Sequence, residues 1–168
     1  VPVAKGWNKH GRPQFSIGGG TKLRPREPVL DYGEQRVEER YGFALARGYD
    51  AVSQVQAMDM EGLDVAVLFR TSPLHCVETF EPEYANDLCK AWNSWIADFC
   101  RVSPKRLKAS ALITLHDGGL AIEEVRRAVN ELGVAALSLC PEPINGKFIH
   151  DRHFDPLWAE IEKLGVAL

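Results

Sequence analysis

Arg70 directly follows the apolar run Asp64-Val-Ala-Val-Leu-Phe69, and His116 directly follows another, Leu107 to Leu115. Loops that follow strands are favoured places for ligand contact. A guanidinium at Arg70 would hold a substrate carboxylate in a bidentate pair; a salt bridge to a neighbouring loop would use the same group equally well. Arg47 is a second candidate for the carboxylate. His75 and His116 would line the same end as polar groups, or serve simply as loop residues. The stretch Cys140 to Asn145 follows a third apolar run and belongs with them.

Other constellations are weaker. His150-Asp-Arg-His153 has the i, i+3 spacing that lets two imidazoles on a helix reach one metal. The pair precedes Asp155-Pro156, which reads as a helix start, so it falls in a loop with no third ligand specified, and surface histidines are the favoured reading. His75 and Cys76 would make a nucleophile pair only if their side chains converged, and neighbours in an extended segment point apart. Gly18-Gly-Gly-Thr-Lys22 has the composition of a phosphate loop. No apolar strand precedes it and no helical pattern follows, so a flexible loop is expected.

The elements that must position these groups begin at Asp50, a capping residue for a helix carrying Val52, Val55 and Met58 or Met60 and ending at Gly62-Leu63. A strand follows over 64–69. A second helix starts at Pro82 and runs through Tyr84, Leu88, Ala91, Trp92, Trp95, Ile96, Phe99 and Val102, spaced by three and four, until Pro104 stops it. Trp92 and Trp95 lie within that stripe, so a core or interface role is expected. After the strand Leu107 to Leu115, Asp117 caps a helix over 118–132. Ile122, Val125, Val129 and Leu132 form its apolar face, and Glu123, Glu124, Arg126 and Arg127 a solvated one. Gly133 ends it and Val134 to Leu139 reads as a strand. Asp155 then caps a helix with Pro156 at its first position, Gly165 stops it, and Val166-Ala-Leu168 opens a further strand.

Composition narrows the function class. At 45% hydrophobic and 26% charged, the 168-residue chain can bury a sizeable core. A net charge of −3 leaves no basic footprint for nucleic acid. No run of about 18 apolar residues suggests a membrane span, and Val1 to His10 does not read as a signal peptide; a cytoplasmic protein is expected. Cys76, Cys89, Cys100 and Cys140 are widely spaced, and the last three sit in apolar runs, so free buried thiols are expected.

Alternating strands and helices with continuous apolar strands argue for an α/β fold with a parallel sheet covered on both faces. An open doubly wound sheet and a (β/α)8 barrel compete. Ending within a strand fits an incomplete TIM barrel holding the first helix, strands two to four with their helices, and the start of strand five. The expected organisation is a loop-rich excursion or lid over 1–48, an arm that would suit a homodimer, and a partial barrel over 49–168 continuing beyond both ends.

Several motifs support this. Met58-Asp-Met-Glu-Gly-Leu-Asp-Val-Ala-Val-Leu-Phe69, Trp92-Asn-Ser-Trp-Ile-Ala-Asp-Phe-Cys100, Pro104-Lys-Arg-Leu-Lys108, Glu123-Glu-Val-Arg-Arg-Ala-Val129 with Glu131-Leu-Gly133, and Phe154-Asp-Pro-Leu-Trp158 occur in order. With them the chain resembles, over about residues 27–168, the amidohydrolase-related family that includes aminocarboxymuconate semialdehyde decarboxylase. The resemblance implies a metal-dependent hydrolase or non-oxidative decarboxylase of a small carboxylate. The family's metal ligands are a His-x-His after the first strand, histidines after the fifth and sixth, and an aspartate after the eighth. None of these is placed in this chain, so no metal-ligating or catalytic residue is expected in it, and the chain alone would be inactive. Many amidohydrolases bridge two metals with a lysine after strand four; here that strand ends Leu139-Cys140-Pro141, which implies one divalent metal, zinc by the family's habit. The competing expectation is a non-catalytic α/β binding or assembly module.

Overall fold

The computed structural model describes residues 3–7, 13–16, 28–71 and 78–168, with side chains from residue 37 onward. The chain divides into two units, Val1–Arg40 and Tyr41–Leu168. In the first, strands β1 (Val3–Trp7) and β2 (Pro13–Ser16) pair antiparallel with Val3 opposite Ser16. Helix α1 (Pro28–Ala46) opens on proline and is broken by the non-helical backbone of Tyr41 (φ −121°, ψ 17°). Within 1–48, expected to be rich in loops, the described residues thus form a hairpin and a helix. This helix has good intrinsic formers, Glu, Gln, Arg, Leu and Ala, but no apolar stripe, so periodicity could not reveal it.

The second unit follows the expected alternation. Helix α2 (Ala51–Glu61) is capped by Asp50, whose Oδ1 accepts the Ser53 amide at 2.8 Å. It ends at Gly62, in the left-handed region at φ +69°, with the Leu63 amide bonded back to Met58 O at 2.9 Å. Strand β3 (Ala66–Leu68) is half the expected length. The long helix α3 (Pro82–Cys100), strand β4 (Leu107–Ile113), helix α4 (Gly118–Asn130) and strand β5 (Ala136–Leu139) follow, then a 3-10 turn at Arg152–Phe154 and helix α5 (Asp155–Leu164). Asp117 caps α4 as expected, accepting the Leu120 amide at 2.9 Å. Asp155 does not cap α5: it is the first helical residue, and its carboxylate sits in the first turn, where the helix dipole favours a negative charge.

The three later strands form one parallel sheet in the order β3-β4-β5, Ala66 opposite Leu107 and Ser110 opposite Ala136. Ala167 bridges Ala136 in parallel, and the Leu137 amide bonds to Ala167 O at 2.8 Å, so the last residues lie beside β5. Strands thus add in sequence order. The helices follow suit, α3 beside α4 and α4 beside α5.

Alternate residues of β4 point to opposite faces. Leu107, Ala109, Ala111, Ile113 and Leu115 join one core with Met58 of α2, Ile96 and Cys100 of α3, Ala121, Val125 and Ala128 of α4, Leu137, and Phe154, Leu157 and Ile161 around α5. The helices therefore cover one face. On the other, cover is incomplete at β3, where Val67 is exposed and Phe69 is 57% exposed, against the expectation of strands buried on both sides.

Helix α3 is rotated from its expected stripe. Ala85, Asn86, Cys89, Asn93, Ile96, Ala97 and Cys100 are buried, while Tyr84, Trp95 and Val102 are exposed. A helix lying close on strand residues as small as Ala109 and Ala111 must present small side chains there, which moves the large aromatics to its flank. The same correction applies to α4, whose buried residues are Ala121, Glu124, Val125 and Ala128. Glu124 is not solvated; it is 1% exposed.

Candidate functional site

The backbone directions of β4 decide what its end can offer. Arg106 O accepts the amide of Ala66, and Ala109 O accepts the amide of Ala135. Even-numbered residues of β4 therefore direct their peptide groups towards β3, and odd-numbered residues towards β5. The register with β3 ends at Leu68 opposite Ala109, so Leu112 lies beyond that ladder. A side chain replaces the strand. Asn93 of α3 accepts the Leu112 amide on Oδ1 at 2.6 Å and donates from Nδ2 to Leu112 O at 3.0 Å. A primary amide carries the same donor and acceptor pair as a peptide unit.

The second hydrogen of Asn93 Nδ2 goes to Glu124 Oε1 at 2.7 Å. A carboxylate only accepts, so this contact sets which way the amide faces. Arg127 completes the cluster: Nε bonds Glu124 Oε2 and Nη2 bonds Oε1, both at 2.8 Å, while Nη1 reaches Ser94 Oγ at 3.2 Å. Hydrogen bonding to Glu124 raises the guanidinium's affinity for its proton further.

Two residues beyond Leu112 on the same face are Thr114 and then His116, both buried. Thr114 Oγ1 lies 2.5 Å from His116 Nδ1. Ser110, on the same face, is fully buried, and its hydroxyl has no partner among the described residues. Ser110, Thr114 and His116 thus place buried polar side chains in β4 and just past its end.

The other expected substrate residues have different settings. The Arg70 guanidinium lies 5.9 Å above the Trp92 ring on α3, adjacent to Asn93. Burial pushes the nearby Cys89 thiol up to about 12, the Glu124 charge adds to this and the Arg70 charge opposes it. Arg47 is engaged by Asp50, with Nη2 at 2.7 Å and Nε at 3.0 Å from Oδ2, and that pair, joined by the Ser53 amide, holds the Asp50 carboxyl well below the usual range. His75 and Cys76 lie outside the described residues, as does Gly18 to Lys22. Cys89 and Cys100 are buried free thiols, and Cys140 is half-buried and free.

An open hollow of about 590 Å³ is lined by Phe69, Leu137, Ser138, Leu139, Ile149, His150, Trp158 and Leu168. It is almost wholly apolar, and Arg47, Arg70 and His116 are not among its lining residues. His150 stacks on Phe148 with centroids 5.5 Å apart, whereas His153 Nε2 meets Lys147 Nζ at 3.1 Å. The two histidines serve different partners. Among the described residues no group of three or more His, Cys, Asp or Glu side chains could hold a metal ion. Among them, too, no helix is long and apolar enough to cross a membrane.

The Asn93–Glu124–Arg127 cluster was missed in the sequence because two of its members look like ordinary surface polar residues. A signal existed: Ala121, Glu124, Val125 and Ala128 are spaced by three, one and three, which puts Glu124 inside a buried stripe.

Comparison with known proteins places this architecture. The 2-amino-3-carboxymuconate-6-semialdehyde decarboxylase of Dictyostelium discoideum is 29% identical over 120 residues, 71% of this chain and 33% of that protein. A gamma-resorcylate decarboxylase of Rhodococcus jostii is 31% identical over 122 residues, 67% of this chain and 36% of that one. The chain therefore spans about a third of the length of the curated relatives it matches. A structure of 5-carboxyvanillate decarboxylase from Novosphingobium aromaticivorans with bound manganese superposes with a TM-score of 0.62 and 24% identity, covering 82% of this chain and 39% of that one; at that identity it speaks for the fold alone. Residues 46–168 match the family model described as amidohydrolase, and the chain belongs to the amidohydrolase family.

Proposed function

We propose that this chain is part of a metal-dependent amidohydrolase-family decarboxylase acting on a small aromatic carboxylate. The observation that carries the reading is that the two relatives described above are named as decarboxylases, one of them for an aromatic acid. The reaction class is non-oxidative: the ring-to-carboxyl bond breaks, its electron pair stays on the ring carbon, a proton replaces the carboxyl group and carbon dioxide leaves. Hydrolysis of a small carboxylate is the competing chemistry within the family.

The architecture proposed for the whole is a (β/α)8 barrel, of which residues 49–168 form strands two to four and the beginning of the fifth. Sequential strand order with neighbouring helices on one face supports it, because a doubly wound sheet reverses its order and carries helices on both faces. A single divalent metal, zinc in the first instance, belongs to the same reading through the family, with ligands supplied from outside the described residues.

His116 is proposed as a substrate-lining residue, since it lies buried just past the end of β4 and is paired with Thr114. Arg70, which follows β3, is proposed for the substrate carboxylate with Arg47 as a further candidate, and His75 as a further substrate-lining residue; Arg47 would have to exchange Asp50 for the substrate. The test is to load the full-length protein with zinc or manganese and assay carbon dioxide release from a panel of hydroxylated benzoates. Turnover that stops with a chelator and returns with metal is expected. Ester or amide cleavage with no carbon dioxide release would overturn the decarboxylase reading, and absence of any metal-dependent turnover would overturn the enzyme reading.

A further inference from the structure

We propose that Asn93, held in orientation by Glu124, is a positioning residue for the end of β4 that carries Thr114 and His116; the catalytic consequence rests on the function proposed above. Leu112 has no partner strand in the β3 register, yet both its amide and its carbonyl are bonded, and both go to one side chain. Removing that side chain would leave two peptide groups of a buried strand unsatisfied, two residues before Thr114.

The orientation is determined from behind. With Nδ2 facing Glu124 Oε1, Asn93 meets Leu112 in the only sense that matches donor to acceptor; flipped, its oxygen would oppose the carboxylate. Arg127 holds that carboxylate in place through two contacts at 2.8 Å. The order of dependence is Arg127, Glu124, Asn93, Leu112, and then the Thr114–His116 pair. Trp92, the residue before Asn93, stands beneath Arg70. One turn of α3 therefore meets the ends of two neighbouring strands.

The test uses Asn93→Ala in the full-length protein, with Glu124→Gln as the conservative variant and Val125→Ala as a control that loosens the same helix without touching Asn93. In Asn93→Ala, amide exchange at Leu112 rises about tenfold relative to Ala111, which bonds towards β5, and the His116 ring resonances move. The value of kcat falls about tenfold while KM stays within about twofold, as expected when alignment and not binding is lost. Glu124→Gln keeps one acceptor for Asn93 but sets an amide N–H against Arg127 Nε, so it shifts the exchange ratio and ring signals in the same direction by a smaller amount; Val125→Ala changes neither. If Asn93→Ala does not fold, Asn93→Asp keeps the acceptor for the Leu112 amide but removes the donor, and is expected to act in the same direction. Wild-type exchange and ring signals in the Asn93 variant, or the same changes in Val125→Ala, would overturn the proposal. An inactive wild-type enzyme would sink the proposed function, while the exchange and ring measurements would still decide the positioning role.

Discussion

Two glutamate–arginine pairs meet on helix α4, built from adjacent arginines and almost identical geometry. Arg126 bonds both oxygens of Glu160 on α5 at 2.9 Å, and Arg127 bonds both oxygens of Glu124 at 2.8 Å. Their surroundings differ. Glu124 is 1% exposed and Arg127 25%, whereas Arg126 is 52% exposed and Glu160 11%, so the contrast lies mainly in the arginines. A surface pair of this kind exchanges one set of hydrogen bonds for another with water and contributes little. A buried pair gains less than its geometry suggests, because desolvation opposes the attraction, but it is costly to break one-sidedly. What distinguishes Glu124 further is the third contact, to Asn93. The outer pair joins two helices; the inner pair reaches through a side chain to a strand.

The sharpest way to break this contrast is Glu124→Leu, which strands the Arg127 charge and removes the acceptor of Asn93. We expect a loss of about 3–5 kcal/mol of unfolding free energy by chemical denaturation. A loss indistinguishable from that of Glu160→Leu would abolish the distinction between the pairs. Next in size, Glu124→Leu combined with Arg127→Met should recover about 1–3 kcal/mol of that loss, since no unpaired charge remains and the volume is filled by apolar atoms. No recovery would mean that the penalty lies in the Asn93 contact and not in the stranded charge.

The smallest effects concern the outer pair. Arg126→Ala should barely move the denaturation midpoint at neutral pH, and the difference should depend on acid. Hydrogen bonding to Arg126 holds the Glu160 carboxyl down to about 2, against an ordinary value of about 4.3. The folded state thus holds this proton less tightly than the unfolded state. The pair's contribution is fully present above about pH 4.3 and is lost as pH falls towards 2. Stability curves of wild type and Arg126→Ala that remain parallel through that range would remove the pair from the acid response.

Much of the second unit was legible because its signals are local. Asp50 and Asp117 announce helix starts by a carboxylate that caps the first turn, and Gly62 and Gly165 announce ends by accepting a left-handed backbone. The apolar runs after Gly62, Pro104 and Gly133 become β3, β4 and β5. The family motifs reached further, since they specified the order of elements before any pairing was known. Helix α1 was not legible, because intrinsic propensity without an apolar face leaves no periodic trace. Nor was the rotation of α3: a stripe of tryptophan, tyrosine and phenylalanine dominates a hydrophobic count, while packing on a strand of alanines selects the small residues beside it.

By itself the sequence determined the alternation of helices and strands, their caps and the family, because each is written in contiguous residues or in spacing along one element. Only the tertiary structure decided which face of α4 is buried, that β3 stops short of Leu112, and that Asn93 takes the vacant place in the ladder. Those facts depend on the relative lengths and registers of separate elements. Glu124 and Arg127 become part of that arrangement only when α4 is set beside α3, which takes Glu124 out of water, while the neighbouring Arg126 that reaches α5 stays half exposed.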